Sequence, residues 1–324
     1  MHSKIHWALA VVLAAGAGSA AAEPADWVRG TLDDACDVTD LDFSDARHGF
    51  ATCMFSDVMV TGDAGVNWHV IHTDLAQTLR WARAASDQVL YAARLGFYRS
   101  DDRGQTWSEL GGLSSSDDSI FDAHFFDAQH VSLLKGADLY YSENGGESWD
   151  MVYQPPQNVF FDKLHFPNAD IGFATGGISS SEGTAGFVAR TADGGRSWTL
   201  LDFHGGRIYA SDFFDADHGI VATQDSNLYT TVDGGGSWQL LGAAPNGDLL
   251  LDIAHRDASH WYAVSATGGL YETRDGGVTW ETGYQTPDYD ALAAVTIAAD
   301  GAVVAGGNSG VLVYENRVFR DGFD

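Results

Sequence analysis

The sequence predicts an all-β protein, a seven-bladed β-propeller with four-stranded blades, and three observations support this prediction. An eight-residue phrase of hydroxyl residue, acid or amide, glycine and tryptophan recurs six times in the 324 residues. Its tryptophans lie 39, 42, 49, 40 and 42 positions apart, a period typical of one four-stranded unit per repeat. The chain also has 38 Gly against 6 Pro, which favours short strands joined by tight turns.

The first 22 residues have the pattern of an export signal. A weakly basic start with Lys4 precedes an apolar run from Trp7 to Ala15, and small residues follow as far as Ala22. The run is too short to span a bilayer. We therefore expect cleavage after Ala22, no membrane span, and a periplasmic or secreted protein. In such an oxidising compartment Cys36 and Cys53 are expected to form a disulfide.

The recurrent phrase is expected to form the turn between the third and fourth strands of each blade. Its acid or amide group suits a tight turn, and its tryptophan opens the fourth strand. A phosphate-binding loop is the alternative, but it needs a helix after the glycines, and none is readable here. We therefore assign the phrase a structural role. Its acid or amide and its tryptophan are Asp63 and Trp68, Asp102 and Trp107, Asn144 and Trp149, Asp193 and Trp198, Asp233 and Trp238, and Asp275 and Trp280.

The seventh blade is expected to be composite. Residues 291 to 314 supply three strands, but the YENRVF that follows has no tryptophan. Trp27, in ADWVRG near the N-terminus, fits the missing position. An N-terminal strand completing the last blade would close the ring and cover its open edge. The expected organisation is a signal peptide over 1–22, a propeller over 23–316 and a short tail over 317–324.

The recurrent phrase resembles the Asp-box of BNR-repeat propellers. With FFDADHG on the first strand of a blade and TRDGGVTW after the third, the chain resembles the photosystem II stability/assembly-factor family over nearly its whole mature length. The resemblance implies that the box acid and hydroxyl hold the hairpin, that the tryptophan packs between sheets, and that the surface carries an arginine-rich patch. A photosynthetic role is not carried over.

The working face is expected opposite the boxes, where the connections between second and third strands (B–C) and between blades (D–A) lie. Blade four has an expected Ser/Gly loop there, GGISSSEGTAG at 176–186. The alternatives are ordinary solvated loops, and arginines that only neutralise acids such as Asp87 and Asp101. The candidate binding residues on this face are Arg80, Arg83, Arg94, Tyr153, Gln157, His204, Arg207, Tyr284, Asp288 and Tyr289.

The function predicted from these features is non-catalytic binding of a protein or peptide by a monomer, with no cofactor and no metal. The net charge of −28 disfavours nucleic acid. A zinc site at Asp42, His124, His165 and Asp212, equivalent positions of the innermost strands, is the alternative to a wet polar channel. A sialidase-like glycoside hydrolase and a carbohydrate-binding propeller are the functional alternatives. Sialidases, however, have six blades and need a Tyr–Glu pair, whereas this chain predicts seven blades and has few glutamates.

Overall fold

The computed structural model describes residues 27–32, 36–54, 57–75, 79–111, 113, 119–180, 183–297, 301–310 and 312–315. Seven sheets surround a central axis, and each contains four antiparallel strands called A to D from the axis outward. The all-β, seven-bladed prediction is thereby confirmed. The predicted signal peptide and C-terminal tail lie outside the described residues.

The first three blades follow one another in chain order. Blade one contains β3 (Val38–Phe43), β4 (Gly49–Cys53), β5 (Val58–Thr61) and β6 (Asn67–Ile71). Blade two contains β7 (Trp81–Ala84), β8 (Leu90–Ala93), β9 (Phe97–Ser100) and β10 (Ser108–Glu109). Blade three contains β11 (Ile120–Phe125), β12 (Val131–Lys135), β13 (Asp138–Ser142) and β14 (Asp150–Tyr153).

Blades four to six repeat the same order. Blade four contains β15 (Phe160–His165), β16 (Gly172–Ser180), β17 (Gly183–Thr191) and β18 (Thr199–Leu201). Blade five contains β19 (Ile208–Phe213), β20 (Gly219–Thr223), β21 (Asn227–Thr231) and β22 (Gln239–Ala243). Blade six contains β23 (Leu250–His255), β24 (Trp261–Ser265), β25 (Gly269–Thr273) and β26 (Glu281–Gln285). Short 3₁₀ turns lie at Pro245–Gly247 and Asn308–Gly310.

Blade seven draws its strands from both ends of the described chain. It contains β27 (Leu292–Ile297), β28 (Val303–Gly307), β29 (Leu312–Glu315) and β1 (Trp27–Arg29). β1 runs antiparallel to β29, with Trp27 opposite Glu315. After β1 the chain continues into β2 (Thr31–Leu32), which pairs in parallel with β6 of blade one. The N-terminal segment therefore touches both the last blade and the first.

The core lies between adjacent blades. Strand B shows the burial most clearly, since all five residues of β4, β12, β20, β24 and β28 are buried. Strands buried along their whole length, as these are, are covered on both faces. The predicted disulfide is present and joins Cys36, just before β3, to Cys53 at the end of β4.

The expected Ser/Gly loop of blade four is instead an extension of two strands. β16 and β17 are paired from Gly172 with Thr191 out to Ser180 with Gly183. The sequence prediction of a loop was therefore wrong. Small residues look like loop composition, but a hairpin needs only backbone pairing, and side-chain type does not reveal that.

Candidate functional site

A central cavity of about 770 Å³ runs along the axis of the ring. Strand A of every blade contributes to its wall, because strand A is the innermost strand of each sheet. The cavity carries both charge signs, unlike the apolar packing between the blades. Representative wall residues from blades one to seven are Asp40, Arg83, Asp122, Lys163, Asp212, Asp252 and Thr296.

Two cations bridge blades across the interior of the cavity. The Arg83 guanidinium donates to Asp40 at 2.6 Å and also to Asp122. Lys163 of blade four donates to Asp252 of blade six. Burial lowers the pKa of both bases, but the carboxylates beside them outweigh it and raise both pKa values above the ordinary range. Both side chains therefore stay charged.

Carboxylates on strand A also bind the backbone of the following blade. Asp42 accepts from the Ala84 amide at 2.8 Å, and Asp122 accepts from the Leu164 amide at 2.9 Å. Asp252 accepts in the same way from the Val295 amide at 3.0 Å. These contacts give hydrogen-bond acceptors to backbone amides of the innermost strand that would otherwise be unpaired.

A carboxylate lies between two imidazoles deeper in the cavity. His255 donates its backbone amide to Asp212 at 2.9 Å, and its Nδ1 lies 2.6 Å from the same oxygen. Nδ1 of His165 is 3.7 Å from the other oxygen of Asp212. Burial disfavours the His255 imidazolium, but the Asp212 carboxylate outweighs it and raises the pKa of His255 above 6.5.

The four residues of the zinc alternative do not converge on one point. His165 and Asp212 line the cavity, whereas Asp42 binds the Ala84 amide and His124 stacks on Phe166 at 4.6 Å. Within the part of the chain that the structure describes, no three His, Cys, Asp or Glu side chains are grouped to hold a metal ion.

A strip of charged and aromatic side chains borders the cavity on the B–C and D–A side. Arg80 lies over the Phe121 ring at 4.4 Å and 4.0 Å from Asp162. Asp162 accepts from Arg207 at 2.7 Å, and Arg207 in turn lies 5.3 Å from the Tyr209 ring. With the exposed Arg94 beside the cavity, the strip spans blades two to five. We call Arg80, Arg94, Phe121, Asp162, Arg207 and Tyr209 the rim strip.

Exposed apolar side chains are concentrated on the same side of the ring. Nine large apolar side chains are exposed among the described residues, and five of them belong to this side. The rim strip itself has three arginines and one aspartate, on a chain whose net charge is −28. A basic, partly apolar surface on an acidic body is suited to segments that combine carboxylates with apolar side chains. The five residues are Met54, Leu95, Phe160, Tyr209 and Tyr289.

Eight of the ten candidate binding residues lie on this side but not all together. Arg80, Arg94 and Arg207 lie in or beside the rim strip. The half-buried Tyr153 and the exposed Gln157 precede blade four, and the exposed His204 follows it. Asp288 and the 69% exposed Tyr289 lie apart, on the connection between blades six and seven.

Two candidates are placed differently from the surface position expected. Tyr284 is 1% exposed and lies in a core cluster with Trp27 and Leu270, because its strand position faces the neighbouring blade and not the connection. Arg83 lies on strand A inside the cavity, where Asp40 and Asp122 hold it. Neither side chain belongs to the outer surface.

Sequence reasoning missed the acids and the lysine of the cavity wall. Asp40, Asp122, Lys163 and Asp252 occupy inward positions of otherwise apolar innermost strands. A polar residue recurring at that position in several repeats was the available signal. The aromatic members of the rim strip, Phe121 and Tyr209, carry no comparable signal because most strands of this chain contain aromatic residues.

The six boxes form closely similar turns. In blade four the Thr191 hydroxyl donates to Asp193 at 2.7 Å and accepts from the Gly195 amide at 3.0 Å. Asp193 also accepts from the backbone and the hydroxyl of Ser197, and Trp198 donates to Gly195 at 3.1 Å. Gly195 has a φ of 88°, a conformation that side chains strongly disfavour.

Together, seven four-stranded blades and these repeated turns define a seven-bladed Asp-box β-propeller. The BNR/Asp-box repeat family model matches residues 98–109. Among solved structures the chain is similar to "YCF48 bound to D1 peptide" at 17% identity and a TM-score of 0.72, over 91% of this chain and 98% of that one. It is similar to YCF48 from Cyanidioschyzon merolae at 19% identity and 0.71, over 90% and 99%. The resemblance to the photosystem II assembly factor is thus confirmed in the fold.

The same fold occurs in proteins of other kinds. The structure of U3-55K matches at 12% identity and a TM-score of 0.69, over 91% of this chain and 99% of that chain. No curated protein matches the sequence. No helix in the described ranges combines the length and apolarity needed to cross a membrane.

Proposed function

We propose that this protein is an exported, non-catalytic scaffold that binds a protein partner through an extended, carboxylate-bearing segment. The rim strip is the observation that carries the proposal. Its arginines come from blades two and five and border a cavity on an otherwise acidic molecule, and two of them, Arg80 and Arg207, lie beside aromatic rings. The similar fold of a propeller solved with a bound peptide supports the same kind of role.

Carboxylate recognition follows from the chemistry of the rim strip. Arg80 and Arg94 present guanidinium groups at the cavity edge, and guanidinium matches a carboxylate with two parallel hydrogen bonds. Phe121 and Tyr209 add flat apolar surface beside these charges. The deeper cations are held by Asp40, Asp122 and Asp252. In the rim strip, by contrast, Arg80 and Arg207 share the one carboxylate of Asp162 and Arg94 is exposed, so positive charge remains for a partner's acids.

The sialidase-like alternative requires a tyrosine activated by a glutamate near an arginine cluster. The described residues that line the cavity include no glutamate. A Tyr–Glu pair does occur where Tyr262 donates to Glu272 at 3.0 Å. Tyr262 is 0% exposed, however, and lies between blades, where no sugar ring could reach it. The geometry therefore favours binding over glycoside hydrolysis.

The binding proposal is tested by selecting short random peptides on the full-length purified protein. We expect the enriched peptides to be acidic, and their affinity to fall as salt is added because the charges are exposed. Arg80→Ala and Arg207→Ala should each weaken binding about tenfold. Arg99→Ala is the matched control, since Arg99 pairs with Asp101 near the box side. Failure to enrich peptides, or equal binding by all variants, would refute the proposal.

Export is tested separately by fractionating the source cells. The proposal expects the mature chain outside the cytoplasm with Glu23 as its first residue. N-terminal sequencing of the purified native protein measures this directly. An intact N-terminus on a cytoplasmic protein would contradict it.

The hydrolase alternative is tested by incubating the purified protein with a fluorogenic sialoside. Release of the fluorophore would restore that alternative.

A further inference from the structure

The blade-four hairpin, formed by β16 and β17, extends past the rest of its sheet. β15 pairs with β16 only as far as Phe160 with Gly177. β16 and β17 continue together for three more pairs, Ile178 with Ala185, Ser179 with Thr184 and Ser180 with Gly183. At about 3.3 Å per residue this adds about 10 Å beyond the start of strand A.

The inner edge of that extension has no partner strand among the described residues. The reason lies in the connection that leads into blade four. Pro155 and Pro156 cannot donate to a sheet, and the Val159 amide turns back onto the Pro156 carbonyl at 3.1 Å. The chain therefore enters strand A only at Phe160 and leaves the edge of Ile178–Ser180 open.

The base of the hairpin is firmly held, so the open edge has a defined position. The Gly186 amide donates to the Gly205 carbonyl at 3.0 Å. A Cβ at Gly186 would lie 2.5 Å from the Gly206 carbonyl oxygen, so only glycine allows this close approach. Ile178 packs on the cluster around Phe161. The hairpin is thus held to the connection between blades four and five on one side and to the core between blades three and four on the other.

Natural proteins usually protect an open edge with lysine, proline or a bulge. The residues at this edge, Ile178, Ser179 and Ser180, include neither lysine nor proline, and their pairing with β17 is regular. The candidate residues Tyr153 and Gln157 precede blade four, and His204 and Arg207 follow it. An unprotected edge flanked by polar and aromatic side chains has the features of a strand-addition site.

We propose that an extended acidic peptide binds by adding a strand to the inner edge of Ile178–Ser180. The inference rests on the proposed function and specifies how the partner is held. A strand antiparallel to β16 takes up the line of β15, so its carboxyl-terminal end arrives at Phe160 and the rim strip. Backbone hydrogen bonds to the hairpin then supply sequence-independent affinity, and Arg80 and Arg207 select acids in the carboxyl-terminal half of the peptide.

The test uses one peptide enriched from the random library on the wild-type protein. In a shortened variant, residues 179–184 are replaced by Asn-Gly, a pair that favours a tight hairpin turn, so that Ile178 keeps its packing and its pairing with Ala185. We expect this variant to bind the peptide at least about tenfold more weakly, with an unchanged melting temperature. Arg99→Ala again serves as the control. Equal affinity of the shortened and wild-type proteins would overturn strand addition and leave peptide binding at the rim intact.

A second measurement needs no change in the protein. N-methylation of successive backbone amides of the peptide should weaken binding at alternate positions only, because alternate residues of a strand point their amides to the same side. Uniform tolerance of N-methylation would overturn the inference, even if the shortened variant failed to fold. Failure of the library to yield any binder refutes the proposed function itself, and the hairpin inference with it.

Discussion

A single hydroxyl group organises each Asp-box. Thr191 is 1% exposed, and its oxygen both donates to Asp193 and accepts from Gly195. Thr191→Val keeps the shape but leaves the buried Gly195 amide without its acceptor. We expect the free energy of unfolding to fall by about 1 to 3 kcal/mol, measured by denaturant unfolding. Thr199→Val, on the exposed strand β18, is the control and should leave stability nearly unchanged.

The ion pair between His255 and Asp212 makes stability depend on pH. The pKa of His255 is raised in the folded state, so the folded protein holds this proton more tightly than the unfolded chain. The contribution is therefore complete below the unfolded pKa of 6.5 and is lost as pH rises through the folded pKa. We expect stability to decline as pH rises above 6.5, and His255→Asn to remove that decline. An identical pH profile in the variant would contradict this assignment.

The residues that could be predicted from the sequence are those that recur at the same position in each repeat. The box acids and tryptophans recur in register, and their turns have the geometry of a hairpin staple. Tyr284 was assigned to the surface as part of a connection between blades, and Arg83 as part of an arginine-rich stretch of blade two. A strand position faces the cavity, a neighbouring blade or solvent according to register and bulges, and the bulge at the start of most A strands is not readable from residue type.

At the scale of the element, β1 belongs to the last blade although it comes from the other end of the described chain. β1 covers the outer edge of β29, and the 5% exposed Trp27 contacts Tyr262 at 6.2 Å between ring centroids. Removal of residues 23–30 should expose this edge and cost about 3 kcal/mol or more from the loss of the buried tryptophan alone. Thermal unfolding of the truncated and full-length proteins measures the effect.

A Trp27→Ala variant separates the contribution of the buried Trp27 side chain from that of the backbone pairing between β1 and β29. If pairing with β29 contributes beyond the side chain, the truncated protein will melt below the variant. A truncated protein that melts like the full-length one would remove any stabilising role for β1 in closing the ring. Closure of the ring by this strand stays a prediction from the missing seventh box, whereas the additional parallel pairing of β2 with β6 left no pattern in the sequence.

At the scale of the molecule, the side of the ring that carries the rim strip differs in charge from the rest. The body carries a large negative excess, and the rim strip gathers arginines from blades that are distant in sequence. Composition alone predicted an acidic protein with one basic blade. Only the closed ring brings Arg207 of blade five to the same carboxylate as Arg80 of blade two, through Asp162. The circular arrangement of the blades is therefore a precondition of the rim strip.

The carboxylates that reach from one innermost strand to the next blade have a consequence for how the ring comes apart. Tandem repeats commonly lose their units one at a time, because each repeat contacts only its neighbours. If one blade unfolded here, a buried carboxylate would lose its hydrogen-bond donor on one side, and a buried amide would lose its acceptor on the other. Asp122 with Leu164 and Asp252 with Val295 are such pairs. A partly unfolded ring therefore has unpaired polar groups at both of its ends, and these raise its free energy. We expect the ring to melt in a single cooperative transition whose calorimetric and van't Hoff enthalpies agree.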